Sequence, residues 1–237
     1  MILERFDGII FVGDSSLQSI YNALNILLRQ DLAEGSLKQW KMDHQAQKEC
    51  RCDYQFIKDS CGEQYITSSE EVVKRTPNHG NPYVCQRTLH AFLEGTDPHS
   101  AKLSMELQRM LPPAPKSNYK PVAIIQSLSP SVSVQQATSF LHKILEIADF
   151  SERKTPMLWI GPTAAGHIEV KGRKGNQEIW DFDHSMAKVA RENDVEVLGM
   201  WNLTAQATSF DGLRFGEKVA LTQAMMVINW LSRLESS

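Results

Sequence analysis

Residues 6–15 read Phe6-Asp7-Gly8-Ile9-Ile10-Phe11-Val12-Gly13-Asp14-Ser15. The run Phe6–Val12 is short, apolar and β-branched, and Gly13-Asp14 ends it, as expected of a strand buried in a parallel sheet. Ser15 or Ser16 then supplies a helix cap. Leu17, Ile20, Tyr21, Leu24, Ile26, Leu27 and Leu28 recur at helical spacing to about Asp31. A strand that feeds straight into an amphipathic helix is the first unit of an α/β chain.

The second half of the sequence repeats that unit. Pro121–Leu128 (PVAIIQSL) predicts a buried strand, and Val134–Phe150 a helix with Ala137, Phe140, Leu141, Ile144, Leu145 and Ala148 on one face. Pro156–Ile160 is a strand ended by Gly161-Pro162, Ile179–Glu192 a helix, Val195–Met200 a strand and Glu217–Leu234 a closing helix. Strands alternating with helices predict a parallel sheet covered on both faces, a three-layer α/β/α sandwich. The stretch from about Gly35 to Tyr83 is polar and has no assignable period, while Leu89–Leu93 and Ala101–Leu111 predict short helices. Pro112-Pro113-Ala114-Pro115 breaks the pattern and reads as a connection inside one domain. The expected organisation is one domain over 1–237 with a loop-rich excursion at about 35–115. Sites in open sheets of this kind lie at the carboxyl ends of the strands. The informative loops are those after Val12, Leu128, Ile160 and Met200.

Composition narrows the function classes. The 237 residues are 42% hydrophobic and 22% charged, which excludes wholesale disorder and collagen-like repeats. Lys plus Arg number 25 against 28 Asp plus Glu, so no global field draws the chain to nucleic acid or an anionic membrane. Apolar stretches such as Ala224–Trp230 fall short of the ~20 residues of a transmembrane helix. Met1-Ile2-Leu3-Glu4-Arg5 has neither the basic region nor the cleavage site of a signal peptide. No nucleotide loop, dinucleotide fingerprint or metal-ligand cluster is legible, so neither cofactor nor metal is expected. Lys171-Gly172-Arg173-Lys174-Gly175 reads as a solvated basic turn. Trp201 and Trp230 read as packing residues, with carbohydrate stacking the lesser alternative.

Cys50, Cys52, Cys61 and Cys85 all fall in the polar third of the chain. An even count in irregular sequence suits two disulfides in an oxidising compartment, with Cys50–Cys52 the least favourable pair because its ring is tight. A zinc site and four reduced thiols in a cytosolic protein are the rival readings. The sequon Asn202-Leu203-Thr204 fits a secretory or extracellular location, with the cytoplasm as the alternative.

The residues that carry chemistry lie at the two ends. Gly13-Asp14-Ser15 stands where the first strand turns into the first helix, and helix-start N–H groups there face any oxyanion. Downstream, Ser209-Phe210-Asp211-Gly212-Leu213-Arg214-Phe215-Gly216 precedes the last helix. The pair of motifs resembles the SGNH (GDSL-type) hydrolase superfamily. The closest likeness is to fungal members related to the esterase-like domains of polysaccharide and sialic-acid O-acetyltransferases. Leu158-Trp159-Ile160-Gly161-Pro162-Thr163-Ala164-Ala165-Gly166-His167 and Gln223–Leu231 add to the likeness. The resemblance implies a flavodoxin-like SGNH-hydrolase fold and a serine esterase or acyltransferase acting on small-molecule or carbohydrate O-acyl groups. It also implies Ser15 as nucleophile and Asp211 as the aspartate of an Asp-x-x-His pair.

Arg214 occupies the place of that histidine, and a guanidinium stays protonated and cannot take the proton of Ser15. Three readings are open. Another histidine enters the site, His167 ahead of His184, which stands beside Asp181 and Asp183. Alternatively, the pocket is kept but hydrolysis is lost, with Asp211 and Arg214 gripping an anionic ligand. Or Arg214 polarises a carbonyl while Asp211 accepts a proton. The oxyanion-hole glycine and asparagine that the resemblance leads one to expect after the second and third strands are not evident, and the loop after the Val122–Leu128 strand reads Ser127-Leu128-Ser129-Pro130-Ser131.

Overall fold

The first strand forms over Gly8–Gly13 (β1) with all six residues buried, and helix α1 follows over Ser15–Arg29. The computed structural model describes residues 5–29, 90–111, 120–166, 174–207, 209 and 215–234. The four cysteines, the Pro112–Pro115 bridge, His167, Lys171–Arg173, Asp211 and Arg214 lie outside the described residues.

After β1 and α1 come β2 (His90–Glu94), α2 (Ala101–Met110), β3 (Val122–Ser127), α3 (Val134–Phe150), β4 (Met157–Ile160), α4 (Asn176–Glu192), β5 (Glu196–Leu198), α5 (Trp201–Ala205) and α6 (Glu217–Arg233). The strands form one parallel sheet in the order β2-β1-β3-β4-β5. Period-two alternation divides β1 and β3 between two cores. Ile10, Val12 and Ile124 pack with Leu107, Phe140, Ile144 and Phe182 beneath α2, α3 and α4. Ile9, Phe11, Ala123 and Ile125 pack with Leu17, Tyr21, Val227 and Trp230 beneath α1 and α6. Each fully buried Leu, Ile or Phe contributes about 1.5–3 kcal/mol, so strands read as continuous apolar runs are what a sheet covered on both faces requires. Among the described residues no helix is long and apolar enough to cross a membrane.

One expectation is overturned. The short helix expected over Leu89–Leu93 is not found in its described part: His90–Glu94 is an edge strand, with Ile9 opposite His90 and Gly13 opposite Glu94. A five-residue apolar run carries no period that separates a helical turn from a buried strand, and pairing with β1 decides it. Residues 90–111 therefore supply a strand and a helix of the sandwich itself. Boundaries shift elsewhere. The strand expected over Val195–Met200 is only Glu196–Leu198, because Trp201–Ala205 turns into a short helix. Helix α4 begins three residues early, where Glu178 Oε2 accepts the Gly175 N–H at 2.9 Å.

Candidate active site

The strand order places β1 between β2 and β3, so the chain runs to one side of β1 and then crosses to the other. Such a switch point opens a crevice at the carboxyl ends of the strands. Gly13 and Ser127 face each other there in register. A Cβ at residue 13 would stand 2.1 Å from the Ser127 carbonyl oxygen, so only glycine allows β1 and β3 to close this far up.

Asp14 organises the turn from β1 into α1. Its Oδ1 accepts the Ser16 backbone N–H at 3.0 Å and the Ser16 hydroxyl, and its carbonyl accepts the Leu17 N–H at 3.1 Å. Its Oδ2 accepts the Ser129 N–H at 2.6 Å, tying the β1–α1 loop to the β3–α3 loop. The helix cap is therefore Asp14, in place of the expected Ser15 or Ser16. Ser15 is left as the first residue of α1 and is exposed, at the end of a 15-residue helix whose dipole favours developing negative charge. Among the described residues no imidazole stands within hydrogen-bond distance of its hydroxyl.

A glycine does follow the second strand. The N–H of Gly95 donates to the Gly13 carbonyl at 2.9 Å. A helical reading of residues 89–93 conceals this glycine, because it removes the strand that Gly95 ends. No asparagine follows β3. The Ser129 N–H is held by Asp14, and its hydroxyl lies 2.6 Å from that of Ser131.

The loops after β4 and β5 are tied to each other. The Gly161 N–H donates to the Leu198 carbonyl at 2.9 Å, the Ala164 N–H to Thr204 Oγ1 at 2.8 Å and the Ala165 N–H to Asn176 Oδ1 at 2.9 Å. Thr204 is buried and donates in turn to the Met200 carbonyl at 2.8 Å, so the threonine of the sequon is a packing residue of this junction. The loop that leads to His167 is fixed as far as Ala165. His184 is exposed on α4 and stacks beside Trp180 at 6.4 Å.

Sequence reasoning misses Asp183. Its Oδ1 lies against Gly161, where a Cβ would come within 2.3 Å, and is buried without a hydrogen-bond partner. Burial pushes this carboxyl above the usual carboxylate range, while His184 and Arg191 pull it the other way. Among the described residues no three His, Cys, Asp or Glu side chains gather closely enough to hold a metal ion.

Solved structures share this fold. Acetyl xylan esterase AlAXEase is 12% identical with a TM-score of 0.51, the match covering 96% of this chain and 100% of that one. A variant of Axe2, an acetyl-xylooligosaccharide esterase from Geobacillus Stearmophilus, is 10% identical with a TM-score of 0.51, covering 99% and 98%. At such identities the likeness establishes the fold, a parallel α/β/α sandwich of the SGNH-hydrolase type. No protein-family model matches the sequence, and no curated protein does.

Proposed function

We propose that the chain is a serine esterase or acyltransferase acting on O-acyl groups, acetyl in particular, carried by a small molecule or carbohydrate. The observation that carries this reading is the capping of α1 by Asp14, which leaves the Ser15 hydroxyl free at a helix N-terminus on the switch point. Capping serines use their hydroxyls to satisfy helix N–H groups. Here a neighbour does that work, and the serine is presented to solvent instead.

In this reading Ser15 Oγ attacks the acyl carbonyl carbon. The carbonyl oxygen gains the negative charge and is met by the Ser15 backbone N–H, a donor of the kind whose removal costs about 10²–10³ in kcat. The tetrahedral intermediate collapses with loss of the alcohol, and water or an acceptor hydroxyl then takes the acyl group from Ser15. His167, on the loop after β4, is the base assigned to Ser15, and Asp211 and Arg214 complete the site, the arginine as a fixed cation toward the substrate. Arginine in the histidine position supports a second reading as well: a protein of this fold that binds an anionic ligand through Asp211 and Arg214 without hydrolysing esters.

A fluorophosphonate probe distinguishes the two. The esterase reading expects a covalent adduct on Ser15 by peptide mass spectrometry, lost in S15A together with p-nitrophenyl acetate hydrolysis. A folded wild-type protein that takes no label selects the binding protein.

A further inference from the structure

Helix α4 buries Ile179, Phe182, Met186, Ala187 and Ala190 as its core stripe. Trp180 lies off that stripe and keeps 42% of its surface exposed, so core packing does not account for an indole at this position. It is not an isolated apolar residue. Trp201, the first residue of α5, meets it in a T-shaped arrangement at 5.1 Å and 74°. His184, one turn further along α4, lies nearly parallel to it at 21° and 6.4 Å. That separation is too wide for full overlap, so the imidazole extends the flat surface without covering it.

The cluster also has a defined place. Trp201 comes just after the end of β5 at Leu198, and Asn176 and Thr204 bind consecutive amides of the loop that leaves β4. The aromatic surface therefore sits at the carboxyl edge of the sheet, the same edge as Ser15, on the first turns of two helices that hydrogen bonds tie to the loop after β4. Two polar atoms of residues in or beside the cluster are buried without a hydrogen-bond partner: the indole N–H of Trp201 and Oδ1 of Asp183. The charge around the rings selects among ligands. Residues 176–187 of α4 carry Glu178, Asp181 and Asp183 and no lysine or arginine, and although Lys174 and Lys188 flank that stretch, its net negative charge disfavours a nucleic acid, a phosphate or an acidic sugar.

We infer that Trp180, His184 and Trp201 form a stacking platform for a neutral sugar ring of the acylated substrate, a specificity subsite on the β4–β5 side of the candidate active site. The C–H face of a pyranose packs on the electron-rich face of an indole. β5 is three strand spacings from β1, roughly 14 Å, so the ligand that uses both ends is an oligosaccharide and not a single sugar. This inference rests on the esterase reading only for the identity of the reacting group; sugar binding itself does not need Ser15.

The test is made in the S15A protein, which holds substrate without turning it over, with a partially O-acetylated xylo-oligosaccharide as the probe and calorimetric titration as the readout. W180A should weaken binding by about tenfold or more, and W180F, which keeps a flat ring, should retain most of it. Thermal unfolding checks that each variant is folded; if W180A is not, W180F and H184A, expected to weaken binding severalfold, carry the comparison. Equal affinity in S15A and its Trp180 variants would overturn the subsite. So would a wild-type protein that hydrolyses p-nitrophenyl acetate but binds no oligosaccharide, a result that leaves the esterase reading intact. Trp180-dependent binding in a protein that fails to react with the fluorophosphonate would uphold the subsite and remove the esterase. Self-association through Trp180 with no sugar binding, seen by light scattering, would overturn it.

Discussion

The Asp14 carboxylate accepts the Ser129 backbone N–H at 2.6 Å across 115 residues of sequence. Its other oxygen holds the start of α1. One side chain therefore fixes both loops of the switch point, and the position of the Ser15 hydroxyl relative to the β3–α3 loop depends on it.

Replacing Asp14 with alanine leaves the Ser16 and Ser129 amides without their acceptor, at a cost of about 1–3 kcal/mol. Asparagine satisfies only one of the two, because its NH2 group is a donor facing a donor. We expect D14A and D14N both to lower the melting temperature and to slow fluorophosphonate labelling of Ser15 on the order of tenfold to a hundredfold, since the loop that presents the hydroxyl is loosened. Labelling at the wild-type rate in a D14A protein of reduced stability would confine Asp14 to a structural role.

Gly13 answers to a different constraint. In G13A the new methyl meets the Ser127 carbonyl oxygen, a backbone atom that cannot swing aside, so β1 and β3 must separate at the end that carries Ser15. A loss on the order of 1–3 kcal/mol is expected, seen as a fall in denaturation midpoint together with reduced labelling. A G13A protein of wild-type stability would mean that the strands close differently from the register found.

These two residues also mark what the sequence can and cannot disclose. Continuous apolar runs at Gly8–Gly13 and Val122–Ser127 and the helical period of Val134–Phe150 are local signals, and the structure keeps them nearly where the sequence places them. His90–Glu94 is different, because its character as a strand is conferred by β1 and not by its own period. Gly95 is legible only once that strand is known. Ser15 stands out in the sequence because glycine and a helix start flank it. The Asp14–Ser129 bond and the burial of Asp183 against Gly161 arise from residues far apart in the chain, and no spacing rule reports such contacts. The aromatic cluster is half visible: Trp201 reads as a residue able to stack, but its partner Trp180 looks like one more apolar residue of α4.

Asp183 gives a pH-dependent prediction. Burial raises its folded-state pKa above the ordinary carboxylate value. Between those two values the folded state holds a proton that the unfolded chain has released, so stability falls as pH rises through the window. Asparagine cannot ionise and removes that slope. D183N should therefore melt at a higher temperature than wild type at pH 7, with the difference shrinking as pH drops into the ordinary carboxylate range. A stability difference that does not vary with pH would show that the charge of Asp183 is already compensated in the folded protein.

Substitution at Arg214 separates the possible histories of the site. An arginine stays charged at every working pH and offers a fork of donors, so it binds carboxylates and polarises carbonyls but cannot serve as a base. If the proposed assignment is right, Arg214 acts on the substrate while His167 takes the proton of Ser15. R214H should then lower hydrolysis of p-nitrophenyl acetate on the order of 10²–10³-fold, the loss of one fixed donor, and H167A should lower it at least as far. If the chain is instead a hydrolase that has lost its base, R214H restores an Asp-x-x-His pair through Asp211. Hydrolysis should then rise by about 10²–10⁴-fold, the usual contribution of a general base, and H167A should change nothing. An unaltered rate in R214H would place residue 214 away from the reacting groups and reject both assignments. We expect the decrease: a site that had simply lost its histidine has no physical reason to keep a long cation three residues from Asp211.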